Sequence, residues 1–196
     1  WTLANQFDGP PSTLVGLFGR GAANTDVNRE PPTFAAYERA ARVNWRSSWD
    51  DNATGIWIRG GHEADQHDHS DRGHVSFVLH GKPVLIEAGT PEYSHPELNR
   101  LFSYGTGHNV LQLGTEMPDA PPGGEIHPPA RGWQLSQYHA PIVNPTMTSR
   151  ALNGAGGTVS LDPSECYEGV AKWLRTVLWD CDHLEVTDDV ELDGDD

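Results

Sequence analysis

Side chains able to bind a metal or transfer protons are concentrated between residues 61 and 114. This window holds seven of the ten histidines of the 196-residue chain, interleaved with carboxylates and two short apolar runs. Imidazoles and carboxylates that are buried must be paired or bound to something. The cluster therefore indicates a site that holds a metal, transfers protons, or does both.

The two apolar runs inside this window, residues 75–80 and 83–89, are rich in β-branched residues. The short polar break between them predicts an antiparallel hairpin. A turn at this break would pair Leu79 with Val84 and Ser76 with Glu87. The hairpin therefore brings a carboxylate opposite the start of the first strand.

Side chains alternate across a strand, so His74, Ser76 and Glu87 are expected on one face of this hairpin. A third predicted strand, residues 108–114, begins with His108. Two or three imidazoles and one carboxylate are then candidates to converge. Such a ligand set suits zinc or another divalent metal.

Alternating patterns elsewhere predict further short strands. In the run 54–60, Ile56 and Ile58 fall on one face and Trp57 on the other. Short strands with frequent turn signals are typical of an all-β fold, and we predict an antiparallel β-sandwich of two sheets. The other predicted strands are residues 43–49, 132–139, 142–152, 158–161 and a final hairpin of 169–179 with 183–190.

Residues 1–32 are rich in glycine, proline and asparagine, which predicts a loop-rich linker with at most a short helix near 12–18. Residues 117–129 predict a surface loop for the same reason. We expect a single β-sandwich domain over residues 33–196. The chain stops where another strand is expected, so the domain is predicted to be truncated at its C-terminus.

The chain carries 28 acidic and 13 basic residues, a formal net charge of −15. This charge argues against nucleic acid and anionic membranes as partners, and no apolar run is long enough to span a bilayer. It also disfavours an anionic polymer at long range, although a bound divalent ion can reverse the local charge. Cys166 and Cys181 are expected at opposite ends of one strand, hence as free thiols.

Several motifs in order resemble the C-terminal β-sandwich domain of the heparinase II/III-like polysaccharide lyases, which include oligoalginate lyases. The resemblance rests on His67-x-His69-x-Asp71-x-Gly73, on the run from Ser76 through Glu87-x-Gly89 to Tyr93, and on His108-Asn109. Flanking segments around Trp49 and Leu174-Arg175 match as well. The resemblance covers most of residues 33–196 and implies a β-sandwich.

Two departures affect the metal site that the resemblance implies. Two additional residues, His74-Val75, precede Ser76, and the next turn is correspondingly shorter. Glu87 stands where the family has Asp. Because the length changes cancel, the resemblance nominates His69, Glu87 and His108 as ligands of a structural zinc or other divalent ion. The hairpin pattern alone favours His74 in place of His69.

The resemblance also implies an activity, β-elimination on a uronic-acid-containing polysaccharide of the alginate or glycosaminoglycan type. His67 and Tyr104 are then the catalytic candidates, and Tyr93 and Arg100 the substrate-binding candidates. A periplasmic or secreted location is expected. The family's N-terminal (α/α) toroid is absent from this sequence or represented only by a remnant, so we expect little lyase activity from this chain alone.

Two other functions fit the same residues. A non-catalytic, metal-stabilised carbohydrate-binding or accessory β-sandwich would need no toroid. A metallohydrolase would use the metal to activate water, although no HExxH motif supports it. Core packing is the expectation for the tryptophans, with a sugar-stacking platform as the alternative.

Overall fold

Two antiparallel β-sheets make up the fold, in which no described helix exceeds five residues. The five-stranded sheet has the order β1-β2-β3-β4-β5 and the four-stranded sheet the order β6-β7-β8-β9. The all-β prediction is confirmed. The strands are β1 (Phe34–Tyr37), β2 (Arg42–Arg46), β3 (Gly55–Arg59), β4 (His74–Leu79), β5 (Lys82–Leu85), β6 (Thr146–Ser149), β7 (Gly156–Asp162), β8 (Val170–Asp180) and β9 (Leu184–Leu192).

This computed structural model describes residues 30–61, 69–113, 145–149, 151–167 and 169–194, with backbone alone at 99, 100, 148 and 149. The chain divides into two compact units, Trp1–Pro32 and Thr33–Asp196, and all nine strands lie in the second. Three short 3₁₀ turns and one π-helical turn complete the described elements: Glu38–Ala40, Gly105–Gly107, Ser164–Cys166 and the π-turn Leu98–Phe102. None of the described helices is long and apolar enough to cross a membrane.

Three sequence predictions fall outside the described residues: the helix near 12–18, the loop at 117–129 and the strand at 132–139. The weaker predicted strands at 142–152 and 158–161 correspond to β6 and β7. The predicted strands at 43–49 and 54–60 correspond to β2 and β3, which pair antiparallel.

The core lies between the two sheets and is formed by alternate residues of facing strands. Ile56 and Ile58 are buried at 0% and 2% exposure, whereas Trp57 between them is 43% exposed. Trp45 of β2 and Trp179 of β8 meet edge to face, with ring centroids 6.4 Å apart. These contacts join the sheets as a sandwich. The other buried residues of this cluster are Ala41, Val43, Val75, Phe77, Val159, Leu161 and Val177.

The hairpin of β4 and β5 forms, but the predicted pairing is wrong. Leu79 pairs with Lys82 rather than Val84, which leaves a two-residue turn at His80-Gly81. Both turn residues have positive φ, 48° and 76°, as a type I′ turn requires.

A register shift between Phe77 and Val78 then changes the pairing along the hairpin. Glu87 lies beyond the last residue of β5, so it does not pair with Ser76 as predicted. Bulges of this kind change the direction of the side chains that follow, and the sequence pattern did not predict this one.

The predicted third strand at 108–114 is also wrong for its described part, which begins with a turn and bend at 108–110 and contributes only a single β-bridge residue, Leu113, and no strand of either sheet. Asn109 replaces the strand pairing with its side chain. Its Oδ1 accepts from the N–H of Val75 at 2.9 Å, and its Nδ2 donates to the Val75 carbonyl at 2.7 Å. One amide group therefore holds this segment against β4 as a neighbouring strand would.

The β8–β9 hairpin turns between Asp180 and Leu184, close to the predicted position. Cys166, before β8, is buried, and Cys181, in the turn, is half-buried. Neither cysteine forms a disulfide, as predicted from their separation along the strand.

Arg175 of β8 fastens the second sheet to two loops of the first. Its buried guanidinium donates from Nη1 to the carbonyls of Gly73, at 2.9 Å, and Asn109. Two further bonds, of 2.8 and 2.7 Å, go to the carboxylate of Asp188 on β9. A fork of this kind fixes both position and orientation. The segments that flank β4 are thereby held to the second sheet.

Gly73 fits closely beneath Trp173, the aromatic neighbour of Arg175. The backbone of Gly73 has φ +90°, and a Cβ added there would lie 2.9 Å from Trp173 Cη2. The Trp173 ring also lies 5.0 Å from the Arg175 guanidinium, and its Nε1 donates to Asp188 at 2.8 Å. Glycine is required at position 73 both by its backbone conformation and by this contact.

Trp179→Ala is expected to lower the free energy of unfolding by about 3–5 kcal/mol, because it leaves a large cavity between the sheets. Trp57→Ala is the matched control, and should cost far less because Trp57 lies outside the core. Urea denaturation of both variants measures the difference. Equal losses would contradict this description of the core.

Asp188→Asn should lower the free energy of unfolding by about 1–2 kcal/mol at neutral pH, because charge-assisted bonds are weakened. Burial would raise the pKa of Asp188, but hydrogen bonds from Arg175 and Trp173 outweigh it and lower the pKa below its usual value. A depressed carboxyl pKa stabilises the fold above the unfolded-state value, and this contribution is lost as pH falls through the folded-state value. The difference in the free energy of unfolding between wild type and Asp188→Asn should therefore shrink only below about pH 4.

The control for this prediction is Asp189→Asn, at the neighbouring position of β9. Asp189 pairs with Lys172 on the exposed side of the hairpin. Exposed ion pairs contribute little to the free energy of unfolding. Denaturation across a pH series should show little change for this variant, and a loss matching that of Asp188→Asn would contradict the role given to Arg175.

Candidate metal centre

Three potential metal ligands converge beside β4. His74, Glu87 and His108 each offer one ligand atom, and these atoms all lie within 4.8 Å of one another. His74 begins β4, Glu87 follows β5, and His108 follows the 3₁₀ turn Gly105–Gly107. Two imidazoles and a carboxylate are thus brought together from three separate segments.

His108 is oriented by a backbone carbonyl. Its Nε2 lies 3.1 Å from the carbonyl oxygen of Phe102, the last residue of the π-turn. A carbonyl can only accept, so Nε2 carries the proton and Nδ1 carries the lone pair. Nδ1 is buried and has no hydrogen-bond partner among the described residues. This is the orientation that a metal-binding imidazole adopts when a carbonyl holds its other nitrogen.

Burial lowers the pKa of His108, and the nearby charges of Asp71 and Glu87 only partly oppose this effect. Burial also lowers the pKa of His74, to about 4, with further contributions from His108, Arg175 and Arg59. Both rings are therefore neutral at physiological pH. The neutral form is the one that binds a metal.

His74 has close polar neighbours at both ring nitrogens. The N–H of Asn109 lies 3.3 Å from Nδ1, and Ser76 Oγ lies 3.0 Å from Nε2. A backbone N–H can only donate, so Nδ1 is the acceptor and Nε2 carries the proton and donates to Ser76 Oγ. The two bonds orient the His74 ring. Its lone pair on Nδ1 could bind an ion only if the weak bond from the Asn109 N–H were broken.

His69 lies next to this group. Its ring centroid is 5.5 Å from that of His108, about as far as the His74 centroid, at 5.3 Å. The convergent group contains His74, the choice that the hairpin pattern favoured, together with the predicted Glu87 and His108. His69 as a ligand stays a prediction.

A second group of polar residues supports the centre. Arg59 Nε donates to the buried carboxylate of Asp71 at 2.7 Å, and the Asp71 carbonyl accepts from the N–H of His74 at 2.9 Å. Asn109 holds the adjoining segment to β4. The sequence pattern did not identify Arg59 as part of this group. Arg59 could have been identified from its position in β3, where it pairs with His74 on β4.

The remaining predicted site residues differ in their surroundings. Tyr104 is buried, and burial raises the pKa of its phenol. Tyr93 is 77% exposed. His67 and the side chain of Arg100 lie outside the described part of the chain. The catalytic and substrate-binding assignments stay predictions.

Comparison with known proteins shows which family this chain is related to. Residues 49–196 match the model of the family described as "Heparinase II/III-like, C-terminal". No curated protein matches.

Similar solved structures include two heparinases III and a heparan sulfate lyase. A heparinase III described as the BT4657 gene product is 14% identical, with a TM-score of 0.58 over 84% of this chain and 23% of that chain. The heparan sulfate lyase HepC from Pedobacter heparinus is 16% identical, with a TM-score of 0.57 over 84% and 23%. Another heparinase III is 14% identical, with a TM-score of 0.55 over 85% and 24%.

At these identities the likeness to solved structures shows the fold, and the chain spans about a quarter of the length of those proteins. The family match is independent of them and covers well over half of the chain, including the convergent histidines and Glu87. The resemblance of the motifs is confirmed: the chain belongs to the heparinase II/III-like family and corresponds to its C-terminal domain.

Proposed function

We propose that this chain is the β-sandwich domain of a polysaccharide lyase that cleaves uronic-acid-containing polysaccharides by β-elimination and contains a structural metal site. Two observations carry the metal site: one ligand atom each of His74, Glu87 and His108 lie within 4.8 Å of one another, and the buried Nδ1 of His108 has no hydrogen-bond partner among the described residues. Family membership supports the lyase assignment.

The residues present fit a zinc or other divalent ion. Glu87, His108 and either His69 or His74 would hold it, and a carboxylate with neutral imidazoles is a suitable donor set. When bound, the ion supplies positive charge and a cross-link among three segments. Its proposed role is to stabilise the segment around His108 against β4, not to react with substrate.

Elimination requires three events: neutralisation of the C6 carboxylate, removal of the C5 proton, and donation of a proton to the departing O4. We assign neutralisation or proton removal to His67, two residues before His69. Tyr104 suits the donor, because a phenol with a raised pKa stays protonated at neutral pH and can give its proton to a leaving oxygen. Tyr93 and Arg100 are proposed to contact the substrate.

A carbohydrate-binding domain without catalysis is the second candidate, favoured by one observation. The chain spans about a quarter of the solved lyases to which it is similar. Groups that those longer proteins contribute from elsewhere have no counterpart assigned here. Binding without turnover is therefore a distinct outcome of the assays below.

Elemental analysis of the purified chain should find about one divalent ion per molecule. His108→Ala should weaken its retention by more than about tenfold, since losing a ligand costs more than losing an outer-shell partner. Chelation should lower the unfolding temperature of the wild-type chain, because a bound ion stabilises the folded state. Unchanged metal content in His108→Ala would refute the centre.

The third ligand is identified by His69→Ala and His74→Ala in the same measurement. The variant that removes a ligand should lose the metal, and the other should retain most of it. The exposed His183→Ala serves as the control.

Mixed with alginate or heparan sulfate, this chain alone should give little of the ultraviolet absorbance that the conjugated double bond of an elimination product produces. A longer form with a helical domain, if the coding sequence provides one, should give that signal. In it, Tyr104→Phe should lower kcat by about 100-fold or more, because the proton donor is lost. Depolymerisation without the signal would refute elimination and favour a metallohydrolase.

A further inference from the structure

The outer face of the five-stranded sheet presents a row of side chains that leads to the candidate metal centre. Cross-strand pairing places Asn44, Trp57 and Ser76 side by side on β2, β3 and β4. They share the face opposite to the core, because Ile56 and Ile58 point inward. Ser76 in turn lies within hydrogen-bond distance of His74, at 3.0 Å. The indole is thus one strand away from the centre.

Trp57 is held over a glycine. A Cβ added to Gly55 would lie 2.9 Å from Cη2 and 3.2 Å from Cζ3 of the indole. Gly55 is buried even though it belongs to the outer face, because this ring covers it. Trp57 nevertheless leaves 43% of its surface exposed. The ring is therefore supported from below and open to solvent above.

Charge is distributed unevenly between the two sheets. The strands of the four-stranded sheet contain six acidic and two basic residues, namely Asp162, Asp180, Glu185, Asp188, Asp189, Glu191, Lys172 and Arg175. The strands of the five-stranded sheet contain four basic residues and no acidic residue. In a chain with net charge −15, the strands of the five-stranded sheet are therefore a local basic exception.

Arginines border the indole at both ends. Arg59 lies two residues further along β3 and pairs with Arg42 of β2, while Arg46 pairs with Gly55. Asp71 compensates Arg59. Arg46 donates to the carbonyls of Ser48 and Asp50 and stacks on Trp49, with its guanidinium carbon 4.4 Å from the ring centroid. Carbonyls are neutral, so these bonds leave its charge in place.

We propose that Trp57 on its Gly55 seat, with the flanking Arg46, is a subsite for one ring of an anionic uronate oligosaccharide. An indole offers a broad apolar surface on which the C–H face of a sugar packs, and guanidinium groups pair with carboxylates or sulfates. The neighbouring sugar would then extend across Ser76 toward the histidines. This subsite rests on the proposed function, because it assumes that the ligand is the polysaccharide which that site processes.

Calorimetric titration of the whole chain, as purified, with hexasaccharides from heparan sulfate and from alginate tests the subsite. At least one of the two should bind. Trp57→Ala should weaken binding by about tenfold and Trp57→Phe by less, because phenylalanine keeps an aromatic face. Gly55→Ala should also weaken binding, since it keeps the indole but lifts it from its seat.

Controls separate the platform from general effects. Leu178→Ala removes an exposed apolar side chain of the other sheet and should leave affinity unchanged. A neutral glucose hexasaccharide should bind more weakly than the anionic ones. Unfolding temperatures of the Trp57 and Gly55 variants, kept within a few degrees of wild type, show that the fold is intact.

Three results would overturn the subsite: no binding of either anionic hexasaccharide by the wild-type chain, equal affinity in Trp57→Ala, or equal binding of the neutral sugar. Failure of the lyase assignment looks different. Trp57-dependent binding without any elimination, even in a longer form, would refute the lyase and support the subsite. Elimination whose KM is unaffected by Trp57→Ala would refute the subsite and leave the lyase standing.

Discussion

The buried guanidinium of Arg175 is the constraint on which the site depends. It donates hydrogen bonds to two backbone carbonyls, those of Gly73 and Asn109. Gly73 directly precedes β4, and Asn109 belongs to the loop that lies against β4. Asp188 balances the charge of the guanidinium from the second sheet. Without the guanidinium, two carbonyls and a carboxylate would lose their partner in a mostly buried place, which is costlier than losing a surface ion pair. The loop that carries His108 therefore has one position relative to β4.

Two consequences follow for the histidines. Asn109 and Arg175 hold the segment against β4, so the rings of His74 and His108 are removed from water and remain uncharged. The carbonyl at the end of the π-turn then selects which nitrogen of His108 carries the lone pair. Neither effect needs the ion to be present. The protein therefore presents two neutral imidazoles beside the Glu87 carboxylate.

Much of the fold was predictable because β-sandwich strands alternate. The pattern Ile56-Trp57-Ile58 predicted which side of β3 faces inward, and the position of the two cysteines at opposite ends of β8 predicted that they form no disulfide. The errors arose at two features that the alternation of residues does not encode. Asn109 stands in for a strand, and a shift at Phe77-Val78 alters the register of the hairpin. Alternation carries no information on either feature, so Glu87 was expected inside a strand that it follows.

The strands of the two sheets differ in charge in a way that the total charge conceals. At physiological ionic strength, fields are screened within about 8 Å, so a polyanion at the five-stranded face is governed by the arginines near it and hardly by the distant acids. In dilute buffer the whole negative surface repels the same polymer. Moderate salt would therefore hasten encounter rather than oppose it, because it screens the distant acids more than the arginines that the polymer contacts.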